Sequence, residues 1–291
     1  MTERDTAVRD STVSGTGDDM GARDTGRNGR TAGVRRRITA LARAELLLLL
    51  RNRLALGTAL LLPIGSLFLF APILEDLDIG MAARAYSLTG LAGFLLLYVV
   101  YYNLATAYVA RREELVLKRL RTGECTDAEI LAGTAVPAVA GALIQMAVAV
   151  PVGALLLDLP VPVNAPLMLL GMLGGLVVFW LLAAASSVFT RSTELAQLTT
   201  MPLVLICLFA SGVVFPATQW PDPVPEIARF LPLTPVMELM RLGWVGTTGE
   251  RAPVDFVGTL RPAGLPLAVL VAWIGVGVWT VRRFFRWEPR R

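Results

Sequence analysis

Residues 165–189 read APLMLLGMLGGLVVFWLLAAASSVF, one apolar block with no charged side chain. A helix needs about 20 mostly apolar residues to cross the hydrocarbon core of a bilayer, so this block predicts a transmembrane helix. Of the 291 residues, 55% are hydrophobic and only 17% are charged, whereas soluble domains are about one-quarter charged. The apolar residues come in long blocks and not in the short-period patterns of soluble domains. The chain is therefore predicted to be an all-α integral membrane protein.

Five more blocks of this kind bring the predicted number of transmembrane helices to six. The six predicted spans are Leu54–Leu74, Tyr86–Val109, Ala128–Leu157, Ala165–Phe189, Leu195–Phe215 and Leu265–Val281. Together with their loops they form a predicted membrane domain over residues 54–291. Residues 1–33 are polar and predict a disordered tail, and residues 34–53 predict a basic amphipathic helix in the membrane interface.

Arginine distribution predicts the orientation. Basic residues crowd the lead-in to the first span, the loop after the second span and the C-terminal tail, whereas the opposite short loops are acidic. The positive-inside rule therefore places both termini in the cytoplasm of a multi-pass plasma-membrane protein.

The loop after the second span has a pattern of its own. Residues 110–123 read ARREELVLKRLRTG, charged but with three leucines at helical spacing. This predicts a short helix along the cytoplasmic face. From these residues alone two roles stay open: a lever on which a cytoplasmic partner pushes, or an interfacial helix held by its basic residues near anionic lipid.

The segment before the last span, residues 211–243, is too apolar for a solvated loop. Asp222 and Thr234 each stand before a proline, as an N-cap residue stands before proline at the first helical position. Two short helices are expected, near residues 223–230 and 235–242. We expect them to form a re-entrant pair buried against the spans, as non-spanning backbone at membrane depth must be.

Polar residues inside the predicted spans have two interpretations. Interhelical hydrogen bonding and aromatic anchoring at the interface are the commoner uses; the functional alternative is a substrate path at a dimer interface. The predicted path residues are Tyr98, Tyr102, Asn103 and Ser211. The predicted external gate consists of Phe215, Pro216, Glu238 and Arg241, with the last two as an i,i+3 pair.

Several function classes are disfavoured by the sequence itself. There is no histidine, so histidine-based metal sites and Ser/His/Asp triads are excluded, and no metal site or nucleic-acid partner is predicted. No G-x-x-x-x-G-K-[ST] phosphate loop is present, so no ATP-hydrolysing site is predicted in this sequence. The spans contain no clear central carboxylate, which disfavours an ion-gradient-driven carrier. They also contain no cluster of a nucleophile and a base, which disfavours a membrane-embedded enzyme.

Four segments, in order and in register over about residues 38–285, carry a family resemblance. They are Glu45…Arg51-Asn52 before Pro63, Arg112-Glu113-Glu114…Leu117-Lys118-Arg119-Leu120-Arg121-Thr122, Ser211-Gly212…Phe215-Pro216, and Leu233-Thr234-Pro235…Glu238…Arg241. The second is similar to the "ERE-x-GTLKRLRTTP" segment of ABC-2 type transporters. The chain resembles the transmembrane (permease) subunits of that family, most closely the drug-export branch that includes the daunorubicin-resistance permease.

The resemblance implies a transport subunit that is not itself an enzyme. Two copies would form a homodimer and pair with a separate ABC ATPase, which would bind ATP and Mg. The cytoplasmic segment would be the coupling helix, contacting the ATPase through Arg112, Glu113, Glu114, Leu117, Lys118, Arg119, Leu120 and Arg121. The implied function is ATP-driven efflux of a hydrophobic or amphiphilic small molecule of the drug or antibiotic type. Export of a lipid or lipid-linked glycan is the alternative within the class, and an ion-gradient-driven secondary transporter is the alternative outside it.

Overall fold

A computed structural model describes residues 83–113, 127–156, 160–190, 192–214, 216, 220–249 and 252–284. All regular structure in these ranges is helical. In chain order the helices are α1 (Ala83–Phe94), a π-helical segment (Leu95–Tyr102), α2 (Asn103–Glu113), α3 (Asp127–Leu156), α4 (Ala165–Phe189), α5 (Thr193–Ala210), α6 (Val224–Ala228), α7 (Thr234–Val245) and α8 (Gly264–Phe284). Because α1, the π-helical segment and α2 follow one another without a break, we call them together the α1–α2 helix.

Within the described ranges, five helices are long and apolar enough to cross a membrane: the α1–α2 helix, α3, α4, α5 and α8. They confirm the all-α prediction and match predicted spans two to six. The first predicted span, Leu54–Leu74, lies outside the described residues, as do the polar tail and the interfacial helix before it. The count of six spans therefore stays a prediction.

The predicted end of the fifth span was wrong. Helix α5 ends at Ala210 and not at Phe215, because Ser211 and Gly212 turn the chain there. Gly212 has a φ of +72°, a left-handed conformation that glycine adopts without steric cost.

The two short helices expected before the last span exist as α6 and α7. Their predicted caps were wrong. Helix α7 has Leu233 at the N-cap position and no side-chain cap bond. The Thr234 hydroxyl instead donates to the carbonyl oxygen of Ala228 at 2.6 Å and lies 2.9 Å from the Ser211 hydroxyl. This residue therefore joins three segments and does not cap its own helix.

Helix α4 occupies the centre of the bundle, in contact with α2, the π-helical segment, α7 and α8. Glycines on α4 permit this close approach: a Cβ atom added at Gly175 would lie 2.8 Å from the Leu96 side chain and 2.9 Å from that of Val236. Small residues of this kind are typical of helix contacts in membranes, where packing drives association. Helix α5, by contrast, lies at the edge, mainly against α2 and the π-helical segment.

The spans alternate in direction, which gives the bundle two ends. The basic end carries the last turns of α2 and α8, with Arg111, Arg112, Arg282 and Arg283. The end of α4 lies there too, because the Phe189 and Phe284 rings are 6.4 Å apart. The loop end carries the beginning of α1 and the chain after α5, joined by a hydrogen bond of 2.6 Å between the Tyr86 hydroxyl and the Gly212 carbonyl.

Candidate functional site

At the basic end, Arg112 contacts the end of α4. Its guanidinium donates to the carbonyl oxygen of Ser187 at 2.8 Å and to that of Thr190. The last carbonyls of a helix have no intrahelical partner and carry the negative end of the helix dipole, so a cation is favourable there. Only 6% of the Arg112 side chain is exposed. Arg112 therefore connects α2 to the end of α4 inside the protein.

The neighbouring Glu113 contacts the beginning of α5. Its Oε1 atom accepts the backbone N–H of Thr193, the first residue of α5, at 3.2 Å. A carboxylate is favourable at a helix N-terminus, where N–H groups lack partners and the dipole is positive. Two adjacent residues of α2 thus hold the two sides of the short α4–α5 turn. We call Arg112, Glu113, Ser187, Thr190 and Thr193 the turn clamp.

The other residues predicted to contact an ATPase follow Glu113 in the chain. Glu114, Leu117, Lys118, Arg119, Leu120 and Arg121 lie outside the described residues. The structure brings Arg112 and Glu113 together, but both point their polar atoms at the α4–α5 turn. A direct contact of these two side chains with another protein stays a prediction.

Further from the basic end than the turn clamp, tyrosine hydroxyls form hydrogen bonds between the spans. The Tyr108 hydroxyl donates to the Leu131 carbonyl of α3 at 2.9 Å and accepts the indole N–H of Trp180 on α4 at 2.9 Å. The Tyr101 and Ser186 hydroxyls lie 2.9 Å apart. Several intramembrane polar groups therefore serve interhelical hydrogen bonding, the commoner of the two interpretations.

Two of the predicted path residues form a different arrangement, which we call the aromatic ladder: Phe94, Tyr98 and Tyr102. The Phe94 and Tyr98 rings stack with centroids 4.4 Å apart, and the Tyr98 and Tyr102 centroids are 6.3 Å apart. Phe94 is 40% exposed, both tyrosines are half-buried, and Asn103 is exposed. The ladder follows the π-helical segment, an irregularity that occurs often at functional sites.

The fourth predicted path residue, Ser211, lies elsewhere. It is buried beside Thr234 and precedes Gly212, whose carbonyl accepts the Tyr86 hydroxyl. Tyr98 is twelve residues further along the same helix than Tyr86, about 18 Å at 1.5 Å per residue. Ser211 therefore belongs to the loop end and not to the aromatic ladder.

The loop end is organised around Arg241 of α7. This arginine is 5% exposed, and its guanidinium carbon lies 4.1 Å from the centre of the Tyr86 ring. It donates to the Thr89 hydroxyl at 3.3 Å and to the Gly212 carbonyl. We call Tyr86, Thr89, Gly212 and Arg241 the loop-end cluster. It joins α1, the chain after α5, and α7.

Of the other predicted gate residues, Pro216 is buried and Phe215 lies outside the described residues. Glu238 is half-buried and lines a cavity of about 590 Å³ together with Arg229 and Arg261. Arg241 is enclosed by α1 and the Gly212 turn. The role of these residues as a gate stays a prediction.

Sequence reasoning missed Tyr86 and Thr89 as partners of Arg241, and missed the α4–α5 turn as the partner of Arg112. One signal was available: an arginine within an apolar helix needs buried acceptors. For both arginines, however, backbone carbonyls distant in the chain are among the acceptors. Any residue type supplies a carbonyl, so nothing in the sequence marked them.

A family model described as ABC-2 type transporter matches residues 36–244, more than two-thirds of the 291-residue chain. A search of curated proteins found no match. The matched range includes every residue of the turn clamp and of the loop-end cluster.

Proposed function

Because the chain belongs to the ABC-2 type transporter family, we propose that it exports hydrophobic or amphiphilic small molecules of the drug or antibiotic type out of the cell. The family and the apolar helices make it a multi-pass membrane protein, the permease subunit of an ABC transporter and not itself a catalyst. In the proposed machine two copies of this chain pair with a separate ATPase, which binds ATP and Mg. The family assignment favours ATP over an ion gradient as the energy source.

The aromatic ladder supports the cargo class. Phe94, Tyr98 and Tyr102 present a continuous, partly exposed aromatic face on one span. Aromatic rings combine large apolar contact with a polar hydroxyl in the case of tyrosine, and they stack on flat apolar molecules. Asn103, the exposed residue that follows Tyr102 in the chain, adds an amide. A molecule with a flat apolar body and a few polar groups fits this chemistry.

The coupling route that we propose starts from the α1–α2 helix. Its last described residues lead directly into the charged segment at 110–123. With both termini in the cytoplasm, that segment faces the ATPase. Closure of the ATPase around ATP would then push on the same helix that carries the aromatic ladder.

The test is purification of the tagged chain from its native membranes, followed by ATP hydrolysis measurements with and without daunorubicin as the probe. We expect an ABC ATPase in the preparation and hydrolysis that responds to the drug. Stimulation by phospholipid but not by drug would reassign the cargo to the lipid class. A preparation without any ATPase would refute the proposal.

A pair of variants tests the ladder. We expect Tyr98→Leu to weaken the drug response about two- to tenfold in half-maximal concentration, because aromatic pairs contribute about 0.5–1.5 kcal/mol beyond buried area. Trp279→Leu is the matched control, since Trp279 is another exposed aromatic but lies on α8. Equal effects of the two variants would show that the aromatic ladder is not part of the substrate path.

A further inference from the structure

Helix α5 is attached to the α1–α2 helix at both of its ends. We infer that Arg112 and Glu113 form a mechanical joint that makes α5 follow the movement of the α1–α2 helix, and that this joint, not contact with the ATPase, is their role. The inference rests on the proposed function, because it explains how a push on the cytoplasmic segment reaches a second span. It assigns these two side chains as positioning residues.

The first attachment is the turn clamp. Arg112 holds the final carbonyls of α4, and Glu113 holds the first N–H of α5. The planar guanidinium presents several donors in a fixed fork, so one side chain bridges two carbonyls. Within the same turn the Thr190 hydroxyl lies 2.8 Å from the Thr199 hydroxyl, which links the end of α4 to the second turn of α5. The clamp thus holds the turn from both sides.

The second attachment is the loop-end cluster. The carbonyl of Gly212, just past the end of α5, accepts the Tyr86 hydroxyl of α1 and the Arg241 guanidinium of α7. Close packing reinforces it: a Cβ atom added at Gly90 would lie 2.8 Å from the Val213 carbonyl oxygen. The chain leaving α5 therefore lies directly against α1.

Between these attachments one stripe of α5, with Ala196, Thr200, Val204 and Cys207, is buried, and the helix packs mainly on α2 and the π-helical segment. In the most apolar 18-residue stretch of α5, 22% of the residues are buried, whereas the share in the α1–α2 helix is 72%. On its other face Leu198 is 70% exposed, and Leu205 and Ile206 are also exposed. Among the described residues, α5 has its main lateral contacts with the α1–α2 helix and few with other helices, so a displacement of Arg112 and Glu113 is transmitted to the N-terminus of α5.

This geometry separates two roles for Arg112. As a joint residue it is buried inside the permease, and its loss leaves the ATPase-binding surface in place. As a docking residue its loss would release the ATPase. Arg111 provides a matched control, because this adjacent arginine donates to Thr134 on α3 at 2.9 Å and has the same charge.

The experiment uses the full chain co-purified with its ATPase and reconstituted in lipid vesicles. A bimane fluorophore on Leu198→Cys, in a Cys125→Ser background, reports the movement of α5 on addition of Mg-ATP and vanadate; Cys207 is buried. In Arg112→Gln we expect ATPase association and basal hydrolysis within twofold of the parent, and a nucleotide-dependent emission change at least fivefold smaller. Arg111→Gln should retain the full change.

A second variant distinguishes loss of the joint from misfolding of the protein. Arg112→Lys keeps the charge but lacks the fork, so we expect a reduced yet measurable emission change with normal assembly. Loss of ATPase association in Arg112→Gln alone, with Arg111→Gln still bound, would overturn the joint in favour of docking. A full emission change in Arg112→Gln or in Arg112→Lys would overturn it as well. Absence of an ATPase from the parent preparation would overturn the proposed function, and this inference with it.

Discussion

Replacement of Gly243 by alanine tests the contact on which the position of α7 depends. Gly243 touches the beginning of α4 through backbone: an added Cβ atom would lie 2.8 Å from the Asn164 carbonyl oxygen and 2.8 Å from the Met168 Cα. Two backbone hydrogen bonds cross the same contact, from the Asn164 N–H to the Gly243 carbonyl at 2.7 Å and from the Val163 N–H to the Trp244 carbonyl at 3.0 Å. Backbone atoms cannot rotate aside as a side chain does.

The expected cost follows from these distances. Carbon atoms rest at about 3.5–4.0 Å, so α7 has to move away from α4 by roughly 1 Å. Overpacking of a buried site costs about 1–3 kcal/mol, and each weakened backbone hydrogen bond costs about 0.5–1.5 kcal/mol. The higher helix propensity of alanine offsets about 1 kcal/mol of this cost. We expect Gly243→Ala to lower the free energy of unfolding by about 3 kcal/mol, or the melting temperature by about 6–12 °C.

Thermal unfolding of the detergent-purified protein, followed by tryptophan fluorescence, measures this change. The control is Gly141→Ala on α3, where an added Cβ atom meets nothing within 4 Å. There only the gain in helix propensity operates, and we expect unchanged or slightly higher stability. Equal melting temperatures for the two variants would refute the backbone contact between α7 and α4.

Two further variants test the buried polar contacts. Arg241→Gln should reduce the yield of folded protein severalfold, because it removes the donor that joins α1 and the Gly212 carbonyl; a normal yield in a detergent size-exclusion profile would show that Arg241 is dispensable. Trp180→Phe should cost about 1 kcal/mol, since it deletes one hydrogen bond to the Tyr108 hydroxyl but keeps that hydroxyl bonded to α3. A change above about 3 kcal/mol in thermal unfolding would contradict this accounting.

The helical spans could be predicted from the sequence because the bilayer imposes a local rule. Backbone in hydrocarbon has to satisfy its own hydrogen bonds, and a helix of about 20 apolar residues is the local way to do so. Ala165–Phe189 is accordingly a helix with the same bounds as predicted. The two short helices were also recognisable, since each begins near a proline.

The end of α5 shows where a local pattern fails. Apolar residues continue through Val213 and Val214, so hydrophobicity alone extended the span. The helix stops earlier because the chain turns at Ser211 and Gly212. The Gly212 carbonyl in this turn is bound by Tyr86 and Arg241, which lie 126 and 29 positions away in the chain. A contact at that separation leaves no periodic signal.

What the sequence by itself determined is therefore the fold class, the spans within the described residues and the family, because these depend on composition, length and short motifs. Only the tertiary structure decided what the charged residues do. Arg112 and Glu113 are part of a charged motif, yet their partners are backbone groups of the α4–α5 turn, 75 to 80 positions away. Backbone carbonyls and N–H groups are the same in every residue, so the fold alone determines which of them meet the buried Arg112 guanidinium or the exposed Glu113 carboxylate.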